Sequence, residues 1–212
     1  MSFLTSSFGS NLLRVSLAGV ATMMVVACGT DAASDEEFAD DPTWDLTGDE
    51  LRVGASCDAS RANNTVTHYE DAFLDMIAHA EGTRGWGGAD GYNVMYGHRT
   101  VSDCTRHPNR NYCSGGLCST AAGRYQFLYK TWKTLKLPTF KPENQTRGAI
   151  TLIKRRKAVL PNDKVMTATE FKNVLDKISY EWASLPPGRY GQPMKSLSDL
   201  RELYCTELDC SS

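Results

Sequence analysis

Apolar residues recur every three or four positions in several stretches of this chain, and most of these stretches are bounded by residues that start or stop helices. In residues 67–82, Phe73, Met76, Ile77 and Ala80 fall on one helical face. Thr67 and Glu70 have the separation of a capping box, and Gly82 suits the left-handed residue that ends a helix. The stretch STAAGRYQFLYKTWKTLKL places Phe127, Leu128, Thr131, Trp132 and Leu135 together. Pro142 is placed to open a third helix through Ile150 and Ile153 into the basic run Lys154, Arg155, Arg156 and Lys157, which reads as a solvated helix end. Thr167 and Glu170 repeat the capping-box spacing before Phe171, Val174, Leu175 and Ile178, a fourth helix ending near Trp182. A short helix is expected over 196–204. Between the first two helices lie seven glycines from Gly85 to Gly116, with strand character only over 92–96. This predicts one small hairpin and a long loop, hence an α+β fold that is mostly helical.

The start of the chain reads differently. Residues 15–27 form a thirteen-residue apolar run behind Arg14, too short to span a bilayer, and residues 1–27 are expected to be a signal peptide. Its end, Val25-Val26-Ala27-Cys28, resembles the lipobox of bacterial lipoproteins, which would make Cys28 the lipidated first residue of the mature chain. Residues 28–65 are rich in Asp, Glu, Ser, Thr, Asn and Ala and read as an acidic flexible tether, leaving 66–212 as the folded domain. The first fifty residues hold nine acids and one base, so sixteen acids face twenty-two bases in the remainder. A basic domain behind an acidic tether suits an anionic polymer or surface. No zinc-finger spacing, aromatic RNA-binding signature or phosphate loop points to nucleic acid.

Cysteine use agrees with export to the cell envelope or beyond. Setting Cys28 aside leaves Cys57, Cys104, Cys113, Cys118, Cys205 and Cys210, an even set that favours three disulfides in any of fifteen connectivities. Under full pairing, at least one of Cys104, Cys113 and Cys118 must bond to Cys57, Cys205 or Cys210. That bond would staple the central loop to a chain end. A metal site built from this cluster with His98 or His107 lacks any Cys-x-x-Cys spacing, so none is assigned.

The first helix ends on Glu81, where the negative end of the helix dipole disfavours ionisation. Shielding from water would raise its pKa further, as a general acid near neutral pH requires. The blocks AFLDMIAHAEGT, GYNVMYGH with SDCTRHP, STAAGRYQFL with Trp132, and EWASLPPGRYGQ stand in the order and at separations similar to those of the phage lambda endolysin (lambda lysozyme) family of lytic transglycosylases. The resemblance covers about 69–204. It implies a lysozyme-like fold and cleavage of the β-1,4 bond between N-acetylmuramic acid and N-acetylglucosamine in peptidoglycan, leaving 1,6-anhydromuramoyl ends. It matches Glu81 to the catalytic glutamate and Asp103 to an aspartate that could position sugar or loop. Tyr92, Arg124, Tyr125, Gln126, Tyr190 and Gln192 lie in the matched blocks as candidate substrate-binding residues, whereas Trp132 and Trp182 read as core. The partners implied are peptidoglycan glycan strands, and the membrane through a lipid at Cys28, for a monomer that needs no cofactor. Two alternatives stay open: a hydrolysing muramidase using Asp90 or Asp103 as second carboxylate, and a non-catalytic wall-binding lipoprotein. The leader, tether and cysteine pattern depart from the phage enzymes, and the altered central loop would form a lip of the cleft.

Overall fold

Helix α1 (His68–Ala80) is buried along nearly its whole length and contributes Phe73, Leu74, Met76 and Ile77 to the core. The computed structural model describes residues 57, 66–114, 116–191 and 193–210. The expected signal peptide, Cys28, all of the tether but Cys57, and Gln192 lie outside the described residues. Both halves of the capping box form at the start of α1. The Glu70 N–H donates to Thr67 Oγ1 at 3.3 Å, and the Thr67 N–H donates to Glu70 Oε2 at 2.9 Å. Phe73 meets Phe171 of α4 (Ala168–Ile178) and Tyr204 of α5 (Leu197–Glu207) edge to face, with ring centroids 5.9 and 6.1 Å away. Helix α4 carries the second expected capping box, Thr167 with Glu170, and Ser196 caps α5. Among the described residues, no helix is long and apolar enough to cross a membrane.

The central region holds two hairpins where one was expected. Strands β1 (Val94–Met95) and β2 (Arg99–Thr100) pair antiparallel, as do β3 (Tyr112–Ser114) and β4 (Leu117–Ser119). Cys113 lies directly opposite Cys118 in the second pair, and the two are disulfide-bonded. The second bridge joins Cys57 to Cys104 and ties the central loop to the N-terminal side of the domain. The third expected bridge is not formed. Cys205 and Cys210 are thiols at the end of α5 that meet in a hydrogen bond, and burial, with Cys205 beside it, pushes the Cys210 thiol up to about 11.

The second helix is shorter than its apolar spacing predicts. Helix α2 covers only Tyr129–Leu135, and residues 123–126 form a turn between Ala122 and Phe127. The backbone explains the difference. Gly123 and Gln126 take φ of 78° and 47°, and Ala122 pairs with both Met95 and Phe127. A side chain at Gly123 would meet Gln145 Oε1 at 2.1 Å, so the turn admits only glycine there. Gln145 belongs to α3 (Pro142–Arg155) and is fully buried. Its Oε1 accepts from the Arg124 N–H at 2.9 Å, and its amide donates to Tyr92 O and Phe140 O at 2.8 and 2.7 Å. Its amide group thereby ties the Arg124 turn to the segments of Tyr92 and Phe140, as burial of an amide demands.

A second aromatic cluster joins Phe127, Trp132 and Phe140 around His107. The His107 ring is buried, with Nε2 2.8 Å from Phe127 O and Nδ1 accepting from the Asn109 N–H at 3.1 Å. Burial lowers its pKa from 6.5 to about 4. A histidine with a depressed pKa contributes stability that is fully present above its unfolded pKa and lost as pH falls through its folded one. Urea unfolding should therefore show stability declining by about 2–3 kcal/mol between pH 6.5 and pH 4 from this residue. In His107→Gln the decline over that window should flatten. An unchanged slope in the variant would show that other groups set it.

Candidate active site

Helix α1 stops in a Schellman motif, and that motif aims Glu81. The Thr83 N–H donates to Ala78 O at 2.9 Å and the Gly82 N–H to His79 O at 3.0 Å, with Gly82 at φ 71°. Glu81 is the C-cap, still helical at φ −75° and ψ −6°. Its side chain is half-buried. Ser184 donates to Glu81 Oε1 at 2.5 Å from the loop after α4. That loop is fixed on both sides of the serine. Trp182 is buried and its indole N–H donates to Tyr125 O at 3.0 Å, while Leu185 is fully buried. The Lys195 N–H donates to Ser184 O at 3.1 Å.

Burial raises the Glu81 carboxyl from 4.5 to about 7, and the Ser184 hydrogen bond pulls the other way. The serine stabilises the carboxylate without cancelling the cost of dehydrating it. An acid with its pKa raised toward neutrality can both give up a proton and take one back.

The connection that follows Glu81 is tied to the turn around Arg124. Thr83 Oγ1 donates to Arg124 O at 2.5 Å. The Arg124 guanidinium has no exposed surface and pairs with Asp75 Oδ1 of α1 and Asp90 Oδ2 of the loop, each at 2.6 Å. Asp90 Oδ1 also accepts from the Gly85 N–H at 3.1 Å. Arg84 extends the network from Asp75, at 3.7 Å, to Glu207 of α5.

Several residues expected to face substrate are placed elsewhere. Arg124, Tyr92 and Tyr125 are each at most 1 % exposed, which leaves them no surface for a sugar. Arg124 is committed to structural acids. Tyr92 shares its hydroxyl with Thr146 Oγ1 at 3.2 Å, and the two tyrosine rings meet edge to face. Burial holds the Tyr125 hydroxyl well above the usual phenol range. The Gln126 amide donates to Gly123 O and Val94 O at 2.9 and 3.2 Å, closing its own turn. Asp103 Oδ1 accepts from the Thr105 N–H and hydroxyl at 2.8 and 2.6 Å, in the manner of a loop-forming acid. Tyr190 is half-buried and donates to Tyr180 O at 3.2 Å. Trp132 and Trp182 are core residues, 6 % and 3 % exposed. Sequence reasoning passed over Ser184, which lies inside the EWASLPPGRYGQ block but has no pattern to set it apart from a loop serine.

Residues 71–209 match the family described as Endolysin. The endolysin of Escherichia phage lambda is 36% identical over 135 residues, covering 60% of this chain and 83% of that protein. The endolysin of Escherichia phage P2 is 36% identical over 157 residues, covering 64% and 90%. Among solved structures, bacteriophage lambda lysozyme complexed with a chitohexasaccharide aligns with a TM-score of 0.61 at 33% identity, over 67% of this chain and 95% of that one. Lysozyme from bacteriophage lambda aligns at 0.56 and 30%, over 68% and 94%. The fold is thus lambda lysozyme-like, mostly helical with small hairpins, in agreement with the α+β expectation.

A buried acid whose folded pKa lies above its unfolded value contributes stability that is fully present below pH 4.5 and lost as pH rises through about 7. At pH 8 the charged Glu81 is therefore a liability to folding. Glu81→Gln should be more stable than the parent at pH 8 by about 1–3 kcal/mol and nearly equal to it at pH 5, as read by denaturant titration at both values.

Proposed function

The chain belongs to the endolysin family, and on that premise we propose that it is a peptidoglycan lytic transglycosylase in which Glu81 acts first as acid and then as base. The observation that carries the proposal is the half-buried Glu81 carboxyl at the end of α1, with its pKa near 7 and Ser184 on Oε1. Protonated Glu81 gives its proton to the glycosidic oxygen as the bond from C1 of N-acetylmuramic acid breaks. The resulting carboxylate then takes the proton from the C6 hydroxyl of the same sugar as O6 bonds to C1. One bond is exchanged for another, no water is consumed, and Glu81 ends protonated. Because the nucleophile is part of the substrate, it is held near C1 without a second carboxylate. Hydrolysing glycosidases ordinarily need one. The two nearest acids of the loop are otherwise engaged, Asp90 with Arg124 and Asp103 with Thr105. The lysozyme solved with a chitohexasaccharide binds a β-1,4 N-acetylhexosamine polymer, and we extend that ligand class to this chain.

Digestion of purified peptidoglycan followed by mass spectrometry of the muropeptides tests the reaction. Products should carry 1,6-anhydro ends, one water lighter than reducing ends, and Glu81→Gln should release none. Reducing ends alone would sink the reading in favour of hydrolysis, and full activity in Glu81→Gln would leave only binding. Activity should fall on the basic side of about pH 7 as Glu81 loses its proton. In Ser184→Ala the carboxylate loses a donor, so that limb of the profile should move to higher pH. A limb that stays in place would mean that Ser184 does not set the acidity.

The substrate lies in the cell envelope, and the proposed leader of residues 1–27 with lipid attachment at Cys28 would deliver the enzyme there. Cys28→Ser should abolish membrane fractionation. Unchanged membrane association would remove the lipid from the proposal.

A further inference from the structure

The connection that starts at Glu81 also presents an aromatic surface that the acid–base chemistry does not use. Trp86 is 50 % exposed, whereas Trp132 and Trp182 are core. Its exposure does not come from a loose backbone. The Trp86 N–H donates to Thr83 O at 3.0 Å, the Gly91 N–H donates back to Trp86 O at 2.8 Å, and the Asn93 amide holds Gly87 O at 2.8 Å. Gly85, Gly87 and Gly88 flank the tryptophan at φ of 76°, 72° and 69°, so the chain takes left-handed turns on both sides of it. The ring of His98 covers part of the indole, with centroids 4.5 Å apart and planes tilted by 31°. His98 sits at the β1–β2 turn with φ 58°, a conformation unusual for a residue with a side chain. Two separate loops thus hold an aromatic pair in place while half of the indole faces solvent.

We propose that Trp86, backed by His98, is a stacking platform for an N-acetylhexosamine ring of the glycan strand, next to the sugars that flank the bond at Glu81. A pyranose ring offers an axial C–H face that is apolar, while its edge carries hydroxyls and the acetamide. A flat, half-hydrated indole removes that face from water and leaves the edge solvated. The position favours a sugar over other apolar occupants. Trp86 is bonded through its backbone to Thr83, two residues past Glu81, so the indole and the carboxyl belong to one short connection. His98 fixes the ring before binding, which limits the ordering cost of a contact with a flexible polysaccharide. The platform rests on the glycan-cleaving reading of Glu81, and its test separates the two.

Calorimetric titration with chitohexaose, a β-1,4-linked N-acetylglucosamine hexamer, into the full chain bearing Glu81→Gln measures binding without turnover. Adding Trp86→Ala should weaken binding about tenfold, His98→Ala less, and Trp86→Phe should restore most of the loss. In the chain that keeps Glu81, Trp86→Ala should raise KM for glycan strands and leave kcat and the thermal midpoint in place. Chitohexaose affinity within about twofold of the parent in the Trp86→Ala chain, or no measurable binding before that substitution, overturns the platform. Muropeptide masses judge the cleavage reading independently. Reducing-end products together with the Trp86→Ala affinity loss would refute transglycosylation and leave the platform standing.

Discussion

A guanidinium with no exposed surface can persist only where opposite charges surround it, and Arg124 meets this constraint by joining three parts of the chain. Asp75 from the middle of α1 and Asp90 from the loop after it each pair with the guanidinium. Thr83 holds the Arg124 carbonyl, and Gln145 holds its N–H. Removing one partner of such a buried pair typically costs about 3–5 kcal/mol, because the other charge is left dehydrated. The chain segments that carry these groups therefore cannot drift apart singly. The Tyr92 ring lies beneath the guanidinium, 5.3 Å from its carbon, and adds attraction from the ring face.

This arrangement explains how a helix end can present a carboxyl rather than fray. The last turn of α1 is closed by backbone bonds, and the residues just beyond it are tied down through Thr83 and Asp90. From the opposite side, Trp182 and Leu185 seat the loop that delivers Ser184. Glu81 is thus held between two segments that both anchor on the Arg124–Tyr125 turn. Dehydration by those segments raises its pKa, and the single serine donor keeps the rise within the range where both protonation states are populated. A second strong donor, or a cation beside the carboxyl, would return it to an ordinary acid.

Helix boundaries were legible in the sequence where local chemistry decides them. Thr67 with Glu70, Thr167 with Glu170, Pro142 and Gly82 all mark the ends at which their helices start or stop. Glu81 was legible as a helix-ending acid for the same reason. The GRYQFL stretch misleads because its apolar spacing fits a helix while its conformation is set by Gln145, a residue some twenty positions away whose carbonyl occupies the space beside Gly123. The β3–β4 hairpin was hidden because its short strands carry polar and half-exposed residues without alternation. Tyr92, Tyr125 and Arg124 were candidates for sugar binding because they lie in the blocks that carry the resemblance. The Arg124 guanidinium pairs with Asp75 and Asp90, the Tyr92 hydroxyl with Thr146, and one-dimensional spacing does not report that pairing. Ser184 depends wholly on a contact between residues 103 positions apart.

The disulfides bear on the same problem from the unfolded side. The central region needs many left-handed residues, and glycines that supply them leave a chain with much conformational freedom to lose. On the loop-closure model, the Cys57–Cys104 bridge, with a sequence separation of 47, removes about 4 kcal/mol of that unfolded-state freedom. The Cys113–Cys118 bridge closes a separation of only 5 and removes about 2 kcal/mol. The long bridge encloses the Glu81 connection, the Trp86 turn and the β1–β2 hairpin within one closed loop. The same closed loop also contains α1, so the bridge constrains the glycine-rich connection together with the helix that ends on Glu81. For the proposed platform, a connection constrained in this way would hold the carboxyl and the indole at a fixed spacing, which a polymer with a regular repeat can match.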